Sequence, residues 1–374
     1  MPSVRNGVHT RGLVEILAVA VLAAGGVASC ASAQPLEVTF RGHINLPNST
    51  TDQHGQPFTI TGLSGISMVP GEGSTPVHRF LAVMDNSPKL VVIDAGFNPD
   101  GSFASVALVG GWTIGESLDF EGIVASDAAR GTVFLCEEGV PSVREYRLSD
   151  GSIVRHFPTP PVFATRRANY GFESLGGWIT DSTQATFAGT IWTCNEEALT
   201  ADGNLSTAWA GTVVRLLRYT VADAVVTPGP QFAYVTDPIH GTPITGSRSG
   251  VSDLVVLPDG RLIALERSFA LSGQGFFRTR LYEADTAGAT DVSGYEGLIG
   301  RTYTAITVQN GRKRLLWSGD LMNLEGLTVG PRLADGSWAL VGIVDDGDPI
   351  SVNRLVAFQV RGVRTTPVRA WPRR

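Results

Sequence analysis

Asp119-Phe120-Glu121-Gly122-Ile123-Val124, the turn Asp127-Ala128-Ala129-Arg130-Gly131 and Val133-Phe134-Leu135-Cys136-Glu137-Glu138 form the stretch from which the fold is read. Two short apolar runs flank a Gly/Asp turn, and carboxylates close both outer ends. Residues equidistant from the turn of an antiparallel hairpin lie opposite one another. The pair is therefore expected to present its carboxylates at one and the same end.

The pattern recurs. Asn323-Leu324-Glu325-Gly326-Leu327 turns at Ala334-Asp335-Gly336 and is answered by Leu340-Val341-Gly342-Ile343-Val344-Asp345-Asp346. Leu63-Ser64-Gly65-Ile66 is answered by Leu81-Ala82-Val83-Met84-Asp85-Asn86, and Phe172-Glu173-Ser174-Leu175 by Ile191-Trp192-Thr193-Cys194-Asn195-Glu196-Glu197. Val251-Ser252-Asp253-Leu254 turns at Pro258-Asp259-Gly260 and is answered by Leu262-Ile263-Ala264-Leu265-Glu266-Arg267. A further strand of alternating polarity follows each pair, such as Ser142-Val143-Arg144-Glu145-Tyr146-Arg147. Repeats of three or four strands at a spacing of about 50 to 80 residues, with no long amphipathic helix, predict an all-β fold, a single β-propeller. Five repeats are visible. Pairing of the chain ends, Leu36 to Ile44 with Leu355 to Val363, favours six blades within a range of five to seven. The Gly/Ser/Thr/Pro-rich segments 198–211, 222–250 and 286–300 read as insertions between strands of one domain, residues 34–374.

Residues 1–33 read differently. Arg5 and Arg11, the apolar run Ile16 to Ala28 and Ala31-Ser32-Ala33 make a bacterial secretory leader, too short for a membrane span. Val27-Ala28-Ser29-Cys30 loosely resembles a lipobox, so lipid anchoring through Cys30 is the alternative to cleavage. The expected location is periplasmic or secreted, with no transmembrane span in the mature chain. Removing Arg5, Arg11 and Glu15 moves the formal net charge from −6 to −7. Without a long Lys/Arg run or basic stripe, nucleic acid is excluded as a partner. A monomer acting on a small-molecule ester or phosphoester is expected. Cys136 and Cys194 occupy equivalent places in successive repeats; two buried thiols is the favoured reading and a disulfide the alternative.

The Glu-Gly strand starts, Leu265-Glu266-Arg267-Ser268-Phe269 and the pair Asn323-Leu324-Glu325-Gly326-Leu327 with Asp345-Asp346 together resemble the bacterial phytase-like family, described by an esterase-like activity. The resemblance runs over roughly residues 60–360 and rests on an ordered set of four motifs. It implies a propeller related in style to calcium-dependent alkaline phytases, with a phosphoester as substrate. Ser252-Asp253 departs from the Glu-Gly pattern, and its shorter carboxylate is expected to fall short of a shared ion.

The strand-end carboxylates are Asp85, Glu121, Glu137, Glu138, Glu173, Glu196, Glu197, Asp253, Glu266, Glu325, Asp345 and Asp346. Converging carboxylates repel unless protonated, paired with Arg or bound to a cation. Oxygen-only donors select hard cations, and many flexible carboxylates favour Ca²⁺. The metal set read from the sequence is Glu121, Glu137, Glu173, Glu196, Glu266, Glu325 and Asp345; the competing reading makes each Glu a cap on a turn. Arg267, Arg248, Arg167, Asn169 and Tyr170 are the substrate contacts, with pairing to rim carboxylates the favoured role for Arg267.

Several mechanisms are excluded. Arg155-His156-Phe157 lacks the glycine of a phosphohistidine motif, and Gly62-Leu63-Ser64-Gly65 has the wrong spacing for a nucleophile elbow. Neither cysteine has an Arg six positions later, no phosphate-cradling loop occurs, and the histidines are scattered. No catalytic nucleophile is identifiable, which leaves metal-assisted ester hydrolysis. The alternatives are a non-catalytic ligand- or protein-binding propeller and a lactonase- or carboxylesterase-like one.

Overall fold

The computed structural model describes residues 34–71, 77–182, 187–222, 225–273, 275–321, 323–345 and 352–364. The segment read as a leader, with Cys30, lies outside the described residues, as does Asp346. The described residues belong to one compact unit, Gln34–Arg374.

The unit is a β-propeller of five four-stranded antiparallel blades. Blade 1 runs outward through Leu63–Met68, Val77–Met84, Lys89–Phe97 and Phe103–Thr113. Blade 2 comprises Phe120–Ala125, Thr132–Glu137, Ser142–Arg147 and Ile153–His156. Blade 3 comprises Phe172–Ser182, Phe187–Asn195, Val213–Ala222 and Val225–Val235. Blade 4 comprises Arg248–Val256, Leu262–Ser272, Gly275–Ala284 and Lys313–Gly319. Blade 5 takes Leu324–Arg332, Trp338–Val344 and Arg354–Arg361 from the end of the chain, and its outermost strand, Glu37–Asn45, from the beginning.

The chain ends pair, from Glu37 opposite Arg361 to Asn45 opposite Arg354. They complete the fifth blade instead of making a sixth, because Arg354–Arg361 also pairs with Trp338–Val344. The count of five lies inside the expected range, and the pairing ties the ring shut without leaving an open sheet edge between first and last blades.

Each of the five blade interfaces carries its own apolar cluster. Phe358, Leu340 and Leu265 join blades 4 and 5; Phe80, Ile66 and Ile343 join blades 5 and 1. Phe120 and Leu81 join blades 1 and 2, Phe134 and Leu175 blades 2 and 3, and Leu216 and Leu254 blades 3 and 4. Burial of each such side chain contributes roughly 1.5–3 kcal/mol, so the ring is held by sheet faces packed on one another. Cys136 and Cys194 belong to this apolar packing and are free, buried thiols. Among the described residues no helix is long and apolar enough to cross a membrane.

Candidate active site and metal centre

The inner strands pack edge to edge around the axis, closely enough to dictate glycine. A Cβ on Gly122 would lie 2.4 Å from the Leu175 nitrogen, and one on Gly326 2.5 Å from the Ser64 oxygen. The glycine that follows Ser64, Glu121 and Glu325 is thus required by the neighbouring backbone. A second regularity sits beside it: all five inner strands bulge at the same point. The register slips between Leu63 and Ile66, Phe120 and Ile123, Phe172 and Ser174, Val251 and Asp253, and Leu324 and Gly326. A bulge re-aims the side chain it carries. The bulged positions are Ser64, Glu121, Glu173, Ser252 and Glu325.

The second strands supply another ring. Met84, Glu137, Asn195, Glu266 and Val344 lie opposite the residue before each bulge. The next residues, Asp85, Glu138, Glu196, Arg267 and Asp345, all line one axial cavity of about 600 Å³. Glu121, Glu173, Glu325, Asp119, Arg248, Asn169 and Tyr170 line it too.

Strand alternation places the preceding residues on the other face. Glu137 lies outside the cavity lining, pairs with Arg144 at 3.1 Å and accepts from the Ser142 hydroxyl. Glu266 is likewise outside, 2.5 Å from the Lys313 ammonium, and accepts from the Tyr234 hydroxyl at 2.7 Å. Glu197 accepts from the Ser206 amide, and Arg167 donates to the backbone carbonyls of Ala198 and Gly203. Asp253 is one residue deeper than its counterparts. Its carboxylate accepts from the amides of Leu254 at 2.8 Å, Leu327 at 2.7 Å and Leu175 at 3.4 Å, reaching both neighbouring blades. Glu137, Glu266 and Arg167, read from sequence as site residues, are therefore engaged elsewhere.

Arg267 is the hub of the cavity floor. Its guanidinium donates to Glu196 at 2.8 Å and to Asn323 Oδ1 at 3.0 Å, pairs with Glu325, and lies 3.7 Å from Glu173. Its side chain is only 4 % exposed, whereas Arg248, 3.3 Å from Glu196 Oε2, keeps 35 % exposure. Among the described residues, Asn86, Asn169 and Asn323 are the non-glycine residues with left-handed backbone, and all three line the cavity. Backbone of this kind costs of order 1–3 kcal/mol unless its surroundings enforce it.

Eight carboxylates face two guanidinium groups here. Two subsets bring one oxygen from each member within 4.8 Å of the others: Glu121, Glu138 and Glu173, and Asp85, Asp119 and Glu121. Glu121 belongs to both. Burial, opposed by the Ser64 hydroxyl and reinforced by Glu138, Asp119 and Asp85, holds its carboxyl well above the usual range. Burial and then Glu196 raise Glu173 in the same way, and burial followed by Glu196 and Asp119 pushes Glu138 up to about 8. Glu325 Oε2 is buried without a hydrogen-bond partner among the described residues. Such a set fits a hard divalent cation: the donors are all oxygen, and a cation relieves the repulsion that otherwise favours protonation.

Sequence reasoning missed Asp119, Asn86, Asn323, Phe269 and Phe277, all of which line the cavity. Asp119 was visible as the residue before Phe120 in the opening stretch. The aromatic residues carry no periodic signal of their own.

No curated protein matches the chain. Solved structures similar to it include a chain of Chaetomium thermophilum polycomb repressive complex 2 bound to GSK126, at 9 % identity over 81 % of this chain and 70 % of that one, TM-score 0.35. Another is luciferin-regenerating enzyme, at 11 % identity over 85 % and 94 %, TM-score 0.33. The model of the phytase-like family, described by the esterase-like activity of phytase, matches residues 59–347, and the chain belongs to that family.

Proposed function

We propose that the protein is an exported, calcium-assisted phosphoester hydrolase working at the axial mouth. Family membership and the propeller fold are consistent with hydrolase-like function. The observation that carries the reading is the convergence of Glu121, Glu138 and Glu173 from blades 2 and 3 on one point, with Asp85 and Asp119 beside it. Those five residues would hold the cation, which supplies Lewis-acid polarisation of the ester.

The chain's own residues do the rest. Arg248, half-open to the cavity, takes the anionic group of the substrate. Arg267 pairs with Glu325, which lines the cavity and takes the proton of the attacking water. The water oxygen bonds to phosphorus, the ester P–O bond breaks, and the proton held by Glu325 ends on the departing alcohol. The leader-like segment supports export, and extracytoplasmic calcium is the suited ion.

The test is hydrolysis of a phosphomonoester, phytate and an acyl ester by metal-stripped protein, with and without added Ca²⁺. Calcium-restored phosphate release is expected. Glu173→Gln should weaken calcium binding and turnover together, whereas Glu325→Gln should lower kcat at least a hundredfold with calcium affinity nearly kept. Acyl-ester cleavage alone would make it a carboxylesterase. A calcium-raised Tm without any turnover would make it a ligand-binding propeller.

A further inference from the structure

Blade 4 does not stop at the rim. The second strands of the other blades end at Met84, Glu137, Asn195 and Val344, but that of blade 4 continues past Glu266 to Ser272. Its inner strand begins early, at Arg248, three residues before Val251. The extension is built in register: Arg248 lies opposite Phe269, and Phe269 opposite Phe277. Cross-strand partners share a face, and all three line the cavity. The two rings are 5.2 Å apart, and Phe276 stacks on Phe269 from beyond at 5.9 Å. Thr242 bridges to Leu271, and the His240 amide donates to Ser268, so the wall is hydrogen-bonded to the loop before it. Tyr170 stands beside Arg248 across the blade boundary.

We infer that this row of one guanidinium and two phenyl rings selects an ester with a single anionic group on a flat apolar body, an aryl phosphate in chemical class, over a polyphosphorylated polyol. The inference rests on the hydrolase reading. Arg267 is buried and already shared among carboxylates, so Arg248 is the guanidinium with exposure left to give a ligand. The one divalent ion of the hydrolase reading together with both guanidinium groups brings four positive charges against eight carboxylates. A substrate carrying many phosphates therefore meets net repulsion, while an aryl group gains contact with Phe269 and Phe277. Hydrolysis of the aryl phosphate gives the aryl alcohol and orthophosphate, with water supplying the new P–O bond and no redox change.

Initial rates of calcium-loaded protein on 1-naphthyl phosphate, glycerol 2-phosphate and phytate test this. A kcat/KM for naphthyl phosphate at least tenfold above the other two is expected. Phe277→Ala should remove most of that preference through KM, Phe277→Tyr should retain it, and Phe269→Leu should give an intermediate value; melting curves of each variant check the fold. Equal or better use of phytate, or a preference unchanged in Phe277→Ala and Phe269→Leu, overturns the inference and leaves the hydrolase reading standing. Absence of release from all three overturns both.

Discussion

Asp253 stands where three of the other blades have glycine and the fourth has Ser174, and it uses the position to tie blades 3, 4 and 5 together at the axis. Both its oxygens accept backbone amides, those of Leu175 and Leu254 on one and Leu327 on the other. Asp253→Ala leaves those donors without their acceptor in a buried place, at roughly 1–3 kcal/mol for each one left unsatisfied. A fall in Tm of several degrees is expected by differential scanning calorimetry; a change within one degree would mean that the amides find other acceptors. The sequence showed that a carboxylate was present here and shorter than its counterparts, but not that it turned to backbone. The same limit explains Glu137 and Glu266. Adjacent acids such as Glu137-Glu138 and Glu196-Glu197 look alike in a sequence, yet only one parity of a strand faces the axis. A bulge in the partner strand shifts that parity in a way no residue pattern announces. The cavity positions Asp85, Glu138, Glu196, Arg267 and Asp345 follow once a single register pair is known.

The inner strand is where local sequence and global shape meet. Gly65, Gly122 and Gly326 are set by the neighbouring blade: a Cβ at Gly65 would lie 2.5 Å from the Glu121 oxygen. Gly122→Ala forces backbone against backbone, and overpacking of that kind costs roughly 1–3 kcal/mol. Gly273, in the turn of the blade 4 extension, has nothing within 4 Å of its Cβ position, so Gly273→Ala should leave Tm nearly unchanged. Chemical denaturation of the two variants decides the point, and equal stabilities would show that the axis is looser than the close approach implies. Strand pairs were legible because alternation and Asp-Gly turns are local properties. Blade closure was legible only in part. Leu36 to Ile44 and Leu355 to Val363 read correctly as partners, but whether two strands add a blade or finish one depends on what Trp338–Val344 pairs with, a contact that apolar patterning leaves open. The blade 4 extension escaped for a related reason: Phe269 and Phe277 gain their meaning from register with Arg248.

At the scale of the molecule, folding gathers carboxylates that an unfolded chain keeps apart, and stability must carry the signature of that gathering. Glu138 and Asp253 are both pushed up to about 8, burial being the first cause for each, while Glu121 and Glu173 are held well above their usual range. Carboxyls raised in the folded state make folding take up protons. Their contribution is fully present below the unfolded pKa near 4 and disappears as pH rises through the folded value. Groups shifted the other way act elsewhere: Asp335, lowered to about 2 by its Ser337 hydrogen bonds and then Arg361, loses its contribution only in acid, and burial lowers His78 and His240, placing their effect below neutrality. Between pH 7 and 9 the raised carboxyls dominate, each group titrating near 8 removing on the order of 1 kcal/mol. Metal-stripped protein should therefore melt a few degrees lower at pH 9 than at pH 7. Calcium should reverse the order of effect, raising Tm more at pH 9 than at pH 7, because the ion binds the ionised carboxylates that the metal-free fold penalises. Scans in chelator and in saturating calcium at the two pH values measure both slopes. A metal-free Tm that is flat or rises toward pH 9 would mean that the acidic rings are already neutralised by Arg267 and Arg248, and would remove the physical reason for a cation at the mouth.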